Sequence, residues 1–327
     1  MLAISAVVAG FVLLVWGADR FVAGASATAR NLGVSPLIIG LTIVGFGTSA
    51  PEMLVSGVAA WQGNPGLGIG NAIGSNITNI GLVLGATALV YPLSVHSQVL
   101  GREFPILFAV TLFSLVLLLD HEFSRLDGLL LLLGMGVMVY WMVATGLRSR
   151  RETGEAGVEP DPMAEEYAAE IPSDMTMRAA MGWLAVGLLV LLGSSKLLVW
   201  GAVEIAQFYG VSDLIIGLTI VAVGTSLPEL AASVMGALRN EHDVAIGNII
   251  GSNMFNLLAV LGLAGALQPS VVDAEVISRD FPVMIGLTIA LFATAYGFRG
   301  PGKINRIEGA LLLGAWFGYQ GYLYNSV

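Results

Sequence analysis

The chain has 327 residues, 56% of them hydrophobic and only 11% charged, with a formal net charge of −9 and a mean hydropathy of +0.83. A soluble domain carries about 25% charged residues, so the composition excludes an ordinary globular protein and predicts an all-α polytopic membrane protein. The acidic balance argues against a nucleic-acid partner. The absence of cysteine excludes disulfides, thiolate metal sites and cysteine nucleophiles.

A membrane-spanning helix needs about 20 mostly apolar residues. Ten such stretches follow one another, at 2–24, 36–61, 67–91, 103–119, 126–146, 180–204, 212–238, 244–267, 281–298 and 307–324. The first lacks the basic flank and small-residue cleavage site of a signal peptide, so it is expected to be retained. Gly10, Gly17 and Gly24 recur along it every seven residues. That smooth stripe serves either for packing or as a surface on which another bundle slides. The second and third spans, Leu37 to Gly85, align without a gap with Leu214 to Gly262 in the seventh and eighth, and 26 of the 49 positions are identical. Each copy carries a G-T-S-x-P-E box and a G-N-x-I-G-S-N-x-x-N box. The likeness continues into the fourth span, where Arg102-Glu103-Phe104-Pro105 matches Arg279-Asp280-Phe281-Pro282, and into the fifth, where Leu126-Asp127-Gly128 resembles Ile307-Glu308-Gly309.

The chain therefore divides into a first repeat, 1–146, a connector, 147–179, and a second repeat, 180–327, with the duplicated motifs at 37–85 and 214–262. Five spans per repeat is an odd number, so the second repeat enters from the opposite side. The predicted architecture is a pair of inverted five-helix repeats with a pseudo-two-fold axis in the membrane plane. With the N-terminus outside, the cytoplasmic loops hold Arg30, Arg102, Arg148, Arg239, Lys303 and Arg306 among others, and the outer loops only Arg125 and Arg279. The positive-inside rule then places both termini outside the cell and the connector in the cytoplasm. The connector is rich in Glu, Asp and Pro and reads as a solvated link rather than a regulatory segment. Its stretch MAEEYAAEI has the pattern of a short amphipathic helix.

The boxes carry the chemistry. Proline in a helix removes the hydrogen bond to the carbonyl four residues back, so Pro51 frees the carbonyl of Gly47 and Pro228 that of Gly224. The preceding Gly, Thr and Ser favour a local break in helices 2 and 7, with Ser49 and Ser226 as caps of the half-helices that follow. Glu52 and Glu229 come directly after the breaks. Thr48 and Glu52, like Thr225 and Glu229, are four apart and share a face. An ionisable group inside a span costs at least about 2.5 kcal/mol and marks a functional site by default. Here two equivalent carboxylates recur with no basic residue repeated beside them, so they need a cation. Asn71, Ser75 and Asn79, spaced i, i+4 and i+8, form a polar stripe opposite, as do Asn248, Ser252 and Asn256. Gly70, Gly74, Gly247 and Gly251 flank the stripes and permit close helix approach. Asn76 and Asn253 fall one position off the stripe and are expected to join helices.

Every candidate ligand is an oxygen. Ca²⁺ takes 6–8 oxygens in flexible geometry, and two carboxylates neutralise one divalent ion or host sodium ions or protons instead. Transition metals favour imidazole or thiolate, but His96, His121 and His242 are isolated. No H-E-x-x-H motif and no Ser/His or Asp/Asp arrangement supports an intramembrane enzyme. A cation channel remains the alternative of a different class. Two half-sites of opposite polarity suit alternating access better than a continuous pore.

GTSAPE with GNAIGSNITN, and GTSLPE with GNIIGSNMFN, resemble the two alpha-repeats of the cation/calcium exchanger superfamily, most closely the prokaryotic sodium/calcium exchangers and the potassium-dependent branch. The resemblance covers nearly the whole chain. It implies sodium/calcium antiport in the inner membrane, with Ca²⁺ and Na⁺ as transported ions, the lipid bilayer as surroundings and no cofactor. It further implies a cluster of four cation sites. The calcium site would use Glu52, Glu229 and the carbonyls of Thr48 and Thr225. Flanking sodium sites would use the carbonyls of Gly45 and Ala222 with Ser49, Ser75, Ser226 and Ser252, and the middle site Asn79 and Asn256. Some members carry an Asp at the position of Asn256, where an acid goes with potassium use. Spans one and six are implied to slide across the other eight. One chain holds both half-sites, so a monomer suffices for the path; the oligomeric state is not set by the sequence.

Overall fold

A computed structural model describes residues 2–32, 47–95, 97–156, 175–238, 242–296 and 302–325. Along these residues run α1 (Leu2–Asn31), α2 (Ala50–Trp61), α3 (Pro65–Val90), α4 (Ser97–Leu118), α5 (Arg125–Ala156), α6 (Met177–Tyr209), α7 (Asp213–Leu238), α8 (242–267), α9 (Val276–Tyr296) and α10 (Arg306–Asn325). Six of them, α1, α3, α6, α7, α8 and α9, are long and apolar enough to cross a membrane. Each predicted span overlaps one of these helices, but the 36–46 part of the second lies outside the described residues. α5 runs ten residues past the predicted end at 146, so the connector begins as helix. The MAEEYAAEI stretch lies outside the described residues.

Local chemistry sets several ends. Thr176 Oγ1 accepts from Ala179 N at 3.4 Å and starts α6. Gly210, at φ 68°, ends that helix, and Val211 N–H returns to the Ala206 carbonyl at 2.9 Å, the left-handed closure that glycine adopts without steric cost. α5 and α10 open on matching capping boxes. In one, Asp127 Oδ2 accepts from Ser124 N (2.9 Å), and Asp127 N donates to Ser124 Oγ (3.2 Å). In the other, Glu308 Oε2 accepts from Asn305 N (2.8 Å), and Glu308 N donates to Asn305 Oδ1 (3.0 Å). The sequence likeness around Asp127 and Glu308 thus reflects the same local structure.

The exterior is apolar, and the interior holds buried polar side chains among its apolar ones. Val12, Leu133 and Leu189 are exposed, whereas Glu52, Asn71, Ser75 and Asn256 are fully buried. An apolar exterior of this kind suits lipid as solvent. Lipid tails give helices no hydrophobic reason to associate, so small residues that let backbones approach do the work. Cβ atoms at Gly10, Gly17 and Gly24 of α1 would meet Leu198, Leu191 and Leu184 of α6, each within 3.2 Å. The descending order makes the pair antiparallel. The glycine stripe thus fastens α1 to α6; it does not face the rest of the bundle as a sliding surface would, because α6 covers it along its length.

The two sequence repeats are interlaced. α5 of the first packs on the end of α8 of the second, where a Cβ at Gly128 would lie 2.7 Å from the Gly262 carbonyl oxygen. α10 of the second packs in the equivalent way on α3 of the first, with a Cβ at Gly85 2.9 Å from the Gly309 oxygen. Two antiparallel two-stranded sheets, which the all-α expectation did not include, repeat the exchange. β1 (Leu93–Val95) pairs with β4 (Gly302–Ile304), and β2 (Glu122–Phe123) with β3 (Ser270–Val271). The larger apolar core holds Ile73, Leu84, Phe104, Phe255 and Phe281. A second gathers Leu14, Val55, Leu191, Leu198 and Val221 where α1 and α6 meet α2 and α7.

Candidate functional site

The two G-T-S-x-P-E boxes break their helices in the same way. Ser49 has φ −85° and ψ 1°, and Ser226 has φ −81° and ψ 6°, both in the sparsely populated bridge region. From each serine a new helical turn starts at once: Met53 N–H bonds to the Ser49 carbonyl (3.2 Å), and Leu230 N–H to the Ser226 carbonyl (3.1 Å). Pro51 and Pro228 sit in the first turn of these restarted segments, where their missing N–H costs little. The expected side-chain caps are not made. A capping serine holds β-region dihedrals, and ψ near zero turns Oγ away from the helix end. Ser49 Oγ instead donates to Glu229 Oε1 of the other copy at 3.4 Å, and Ser226 Oγ is buried without a protein partner.

The asparagines of the second boxes hold the backbone just after each break. Asn71 Nδ2 donates to the Glu52 carbonyl (3.2 Å) and to Ser56 Oγ (2.9 Å). Asn248 Nδ2 donates to the Glu229 carbonyl (3.4 Å) and to Ser233 Oγ (3.2 Å). The serines pass the bond on, Ser56 to the Gly68 carbonyl (3.4 Å) and Ser233 to that of Ala245 (3.5 Å). Each asparagine Oδ1 accepts from the threonine of the opposite copy: Thr225 Oγ1 to Asn71 at 3.1 Å, Thr48 Oγ1 to Asn248 at 3.5 Å. Ser56 and Ser233 thus belong to the candidate site's frame, although they were not among the residues expected there. Their signal was present, since they stand among the few identities between the two boxes.

Close approach makes these bonds possible. A Cβ at Gly70 would stand 2.3 Å from the Leu214 carbonyl oxygen, and one at Gly217 2.4 Å from that of Leu67. No side chain fits between α3 and the first half of α7. Wide turns add to the local geometry. π-helical turns occupy Asn79–Leu84, Asn256–Val260 and Gly217–Val221. The first two begin on the equivalent asparagines, and such bulges recur at functional sites.

Glu52 and Glu229 are both 0% exposed. Glu229 Oε1 accepts from Ser252 Oγ (3.2 Å) as well as from Ser49. Glu229 Oε2 and both carboxylate oxygens of Glu52 have no protein hydrogen bond. The same holds for Asn79 Oδ1 and for both amide atoms of Asn256. Asn79 Nδ2 donates to Asn253 Oδ1 (3.1 Å), and Asn76 Nδ2 to the Asn253 carbonyl (3.2 Å). The off-stripe asparagines therefore join α3 to α8 as expected, and Asn253 also fixes which way the Asn79 amide points. Ser75 Oγ turns to Asn71 Oδ1 (3.4 Å). Thr48 Oγ1 also lies 3.5 Å from Ser252 Oγ. The Ala222 carbonyl accepts the Ser226 N–H at 3.1 Å and lies 3.4 Å from the Thr225 hydroxyl, which also donates within reach of the Val221 carbonyl at 3.0 Å. Gly45 lies outside the described residues.

A buried carboxylate without a partner is costly. The ion pairs found among the described residues, Arg20–Asp19 and Arg279–Asp280, involve neither glutamate. Among the described residues no three His, Cys, Asp or Glu side chains gather. The donor set is thus two carboxylates with hydroxyl, amide and carbonyl oxygens. That chemistry fits a hard cation such as Ca²⁺ or Na⁺ and not a transition metal.

Residues 2–144 and 179–325 match the family described as "Sodium/calcium exchanger protein". The chain is 51% identical over 324 residues to the "Putative antiporter CaxA" of Alkalimonas amylolytica, covering 98% of each. It is 32% identical over 339 residues to the "Sodium/calcium exchanger MaX1" of Methanosarcina acetivorans, covering 93% of each. Among solved structures, it superposes on the sodium-calcium exchanger NCX_Mj with a TM-score of 0.63 and 32% identity, covering 97% of this chain and 96% of that one. With this match over nearly its whole length, the chain belongs to the sodium/calcium exchanger family.

Proposed function

We propose that the protein is a sodium/calcium antiporter that exports Ca²⁺ in exchange for Na⁺ by alternating access. One observation carries the reading: two buried carboxylates, one from each sequence repeat, offer three oxygens that no protein donor satisfies. Glu52 and Glu229 bind Ca²⁺ together with the carbonyls of Thr48 and Thr225. Sodium competes for the same carboxylates, helped by Ser49, Ser75, Ser226, Ser252, Asn79, Asn256 and the carbonyls of Gly45 and Ala222. Two negative charges are neutralised by one Ca²⁺ or by two Na⁺, and mutual exclusion at one cluster is what couples the two fluxes. All ten helices span the inner membrane as inverted repeats, 1–146 and 180–327. Both termini are extracytoplasmic and the 147–179 connector is cytoplasmic, in keeping with the distribution of Lys and Arg. The glycine-locked α1–α6 pair moves as one body across the others to switch access.

The test uses the purified protein in lipid vesicles. An outward-directed or inward-directed Na⁺ gradient should drive radioactive Ca²⁺ the opposite way, and saturably. A pH gradient that drives Ca²⁺ equally well without sodium would show that the coupling ion is H⁺. Dependence on K⁺ would place the protein with the potassium-dependent branch despite Asn256. Flux that needs no counter-ion on the far side would favour the channel reading.

A further inference from the structure

A second feature lies away from the glutamates, where the start of α7 faces α9 and α10. A crevice of about 1270 Å³ opens there. Its apolar wall is one face of α9, Val283, Gly286, Leu287 and Ala290, with Leu214 of α7 and Ala315 of α10 opposite. From Arg279 to Ala290 the helix rises roughly 16 Å, about half the ~30 Å hydrocarbon core. The crevice therefore has the depth of one leaflet. In a bilayer, such a gap forfeits dispersion contacts unless a chain fills it.

Its polar end is built from charged groups. Asp280, fully buried, accepts Arg279 Nε at 2.6 Å and Nη2 at 3.1 Å, and also accepts the Tyr319 hydroxyl at 2.8 Å. This pairing occupies two of the five guanidinium N–H groups and fixes the fork, so three donors remain. Arg279 and Tyr319 both line the crevice, and so do Asp273 and Glu275. A guanidinium with spare donors suits a phosphate, and two acids beside it suit an ammonium group.

We infer that this crevice is a binding site for one phospholipid with a primary amine headgroup. Its acyl chain lies along Val283–Ala290, its phosphate on Arg279 and its ammonium against Asp273 and Glu275. An anionic headgroup such as phosphatidylglycerol would bring no ammonium and would meet the two carboxylates unfavourably. The inference is independent of which ions are exchanged.

Gly286 supplies a clean test, because a Cβ there meets nothing within 4 Å and a larger side chain would enter the crevice. Purified protein is equilibrated with equal amounts of phosphatidylethanolamine and phosphatidylglycerol, and the retained lipid is read by native mass spectrometry. Wild type should retain one phosphatidylethanolamine per chain. Gly286→Phe should lower that retention at least about tenfold, as the loss of a well-packed chain implies. The pair Asp273→Asn with Glu275→Gln, which leaves the groove intact, should remove the preference for the amine headgroup. Equal retention by wild type and Gly286→Phe would overturn the site. So would a wild-type preference for phosphatidylglycerol, or an unchanged amine preference in the double variant.

Discussion

The two half-sites share a scaffold but differ in what their carboxylates do. In both, an asparagine holds the backbone carbonyl of its glutamate, a serine relays that bond, and a threonine of the opposite copy closes the ring. The carboxylates break the symmetry. Glu229 is held through one oxygen by Ser49 and Ser252, whereas Glu52 has no protein partner on either oxygen. The equivalent serines go elsewhere: Ser75 to Asn71, and Ser226 to no protein group. A duplicated frame therefore carries one tethered carboxylate and one untethered carboxylate.

The carboxylates are where substitution should tell most. Glu52→Gln and Glu229→Gln should each reduce Na⁺-driven Ca²⁺ flux in vesicles more than about 100-fold, because losing one partner of a buried charged cluster costs about 3–5 kcal/mol. Normal flux in either variant would remove that half from the ion site. The shared frame is tested next. Asn71→Ala and Asn248→Ala should each cost about 1–3 kcal/mol of stability, because each strips a buried glutamate carbonyl of its donor. Thermal unfolding in detergent should show losses of similar size; a loss in only one would mean the frame is not shared.

Finer contrasts come from the amides and serines. Asn253→Ala releases the Asn79 amide, which can then present N–H rather than oxygen to a cation, and flux should fall roughly tenfold on the scale of one strong hydrogen bond. The smallest effect belongs to the tether itself. Ser252→Ala should raise the Ca²⁺ concentration for half-maximal flux a few-fold, in line with about 0.5–1.5 kcal/mol. Ser75→Ala should move it less, since Ser75 does not touch Glu52.

Much of this was legible in the sequence because duplication doubles every local signal. The paired proline breaks, the two glutamates and the Asn/Ser stripes are all properties of short segments, and helical spacing alone places them on one face. What stayed hidden was pairing between distant segments. The glycines of α1 announce a smooth surface without saying that α6 covers it. Ser56 and Ser233 are unremarkable until α3 and α8 bring asparagines within 3.2 Å of their hydroxyls. The capping role given to Ser49 and Ser226 failed because a Thr-Ser-x-Pro pattern fixes where a helix breaks but not the ψ value at the break. Short strands such as Glu122–Phe123 carry no period long enough to read.

The interlacing has a consequence for how the protein is made. β1 finds its partner in β4, and α3 is covered by α10, both of which are made long after the elements they pair with. During synthesis the first repeat therefore waits with an unpaired strand at its loop and an uncovered glycine face at Gly85. A nascent chain stopped after α9 would hold both glutamates and both asparagine frames, yet leave that face open to lipid and to other chains. Loss of α10 should thus be felt as failed assembly and not as a weaker exchanger.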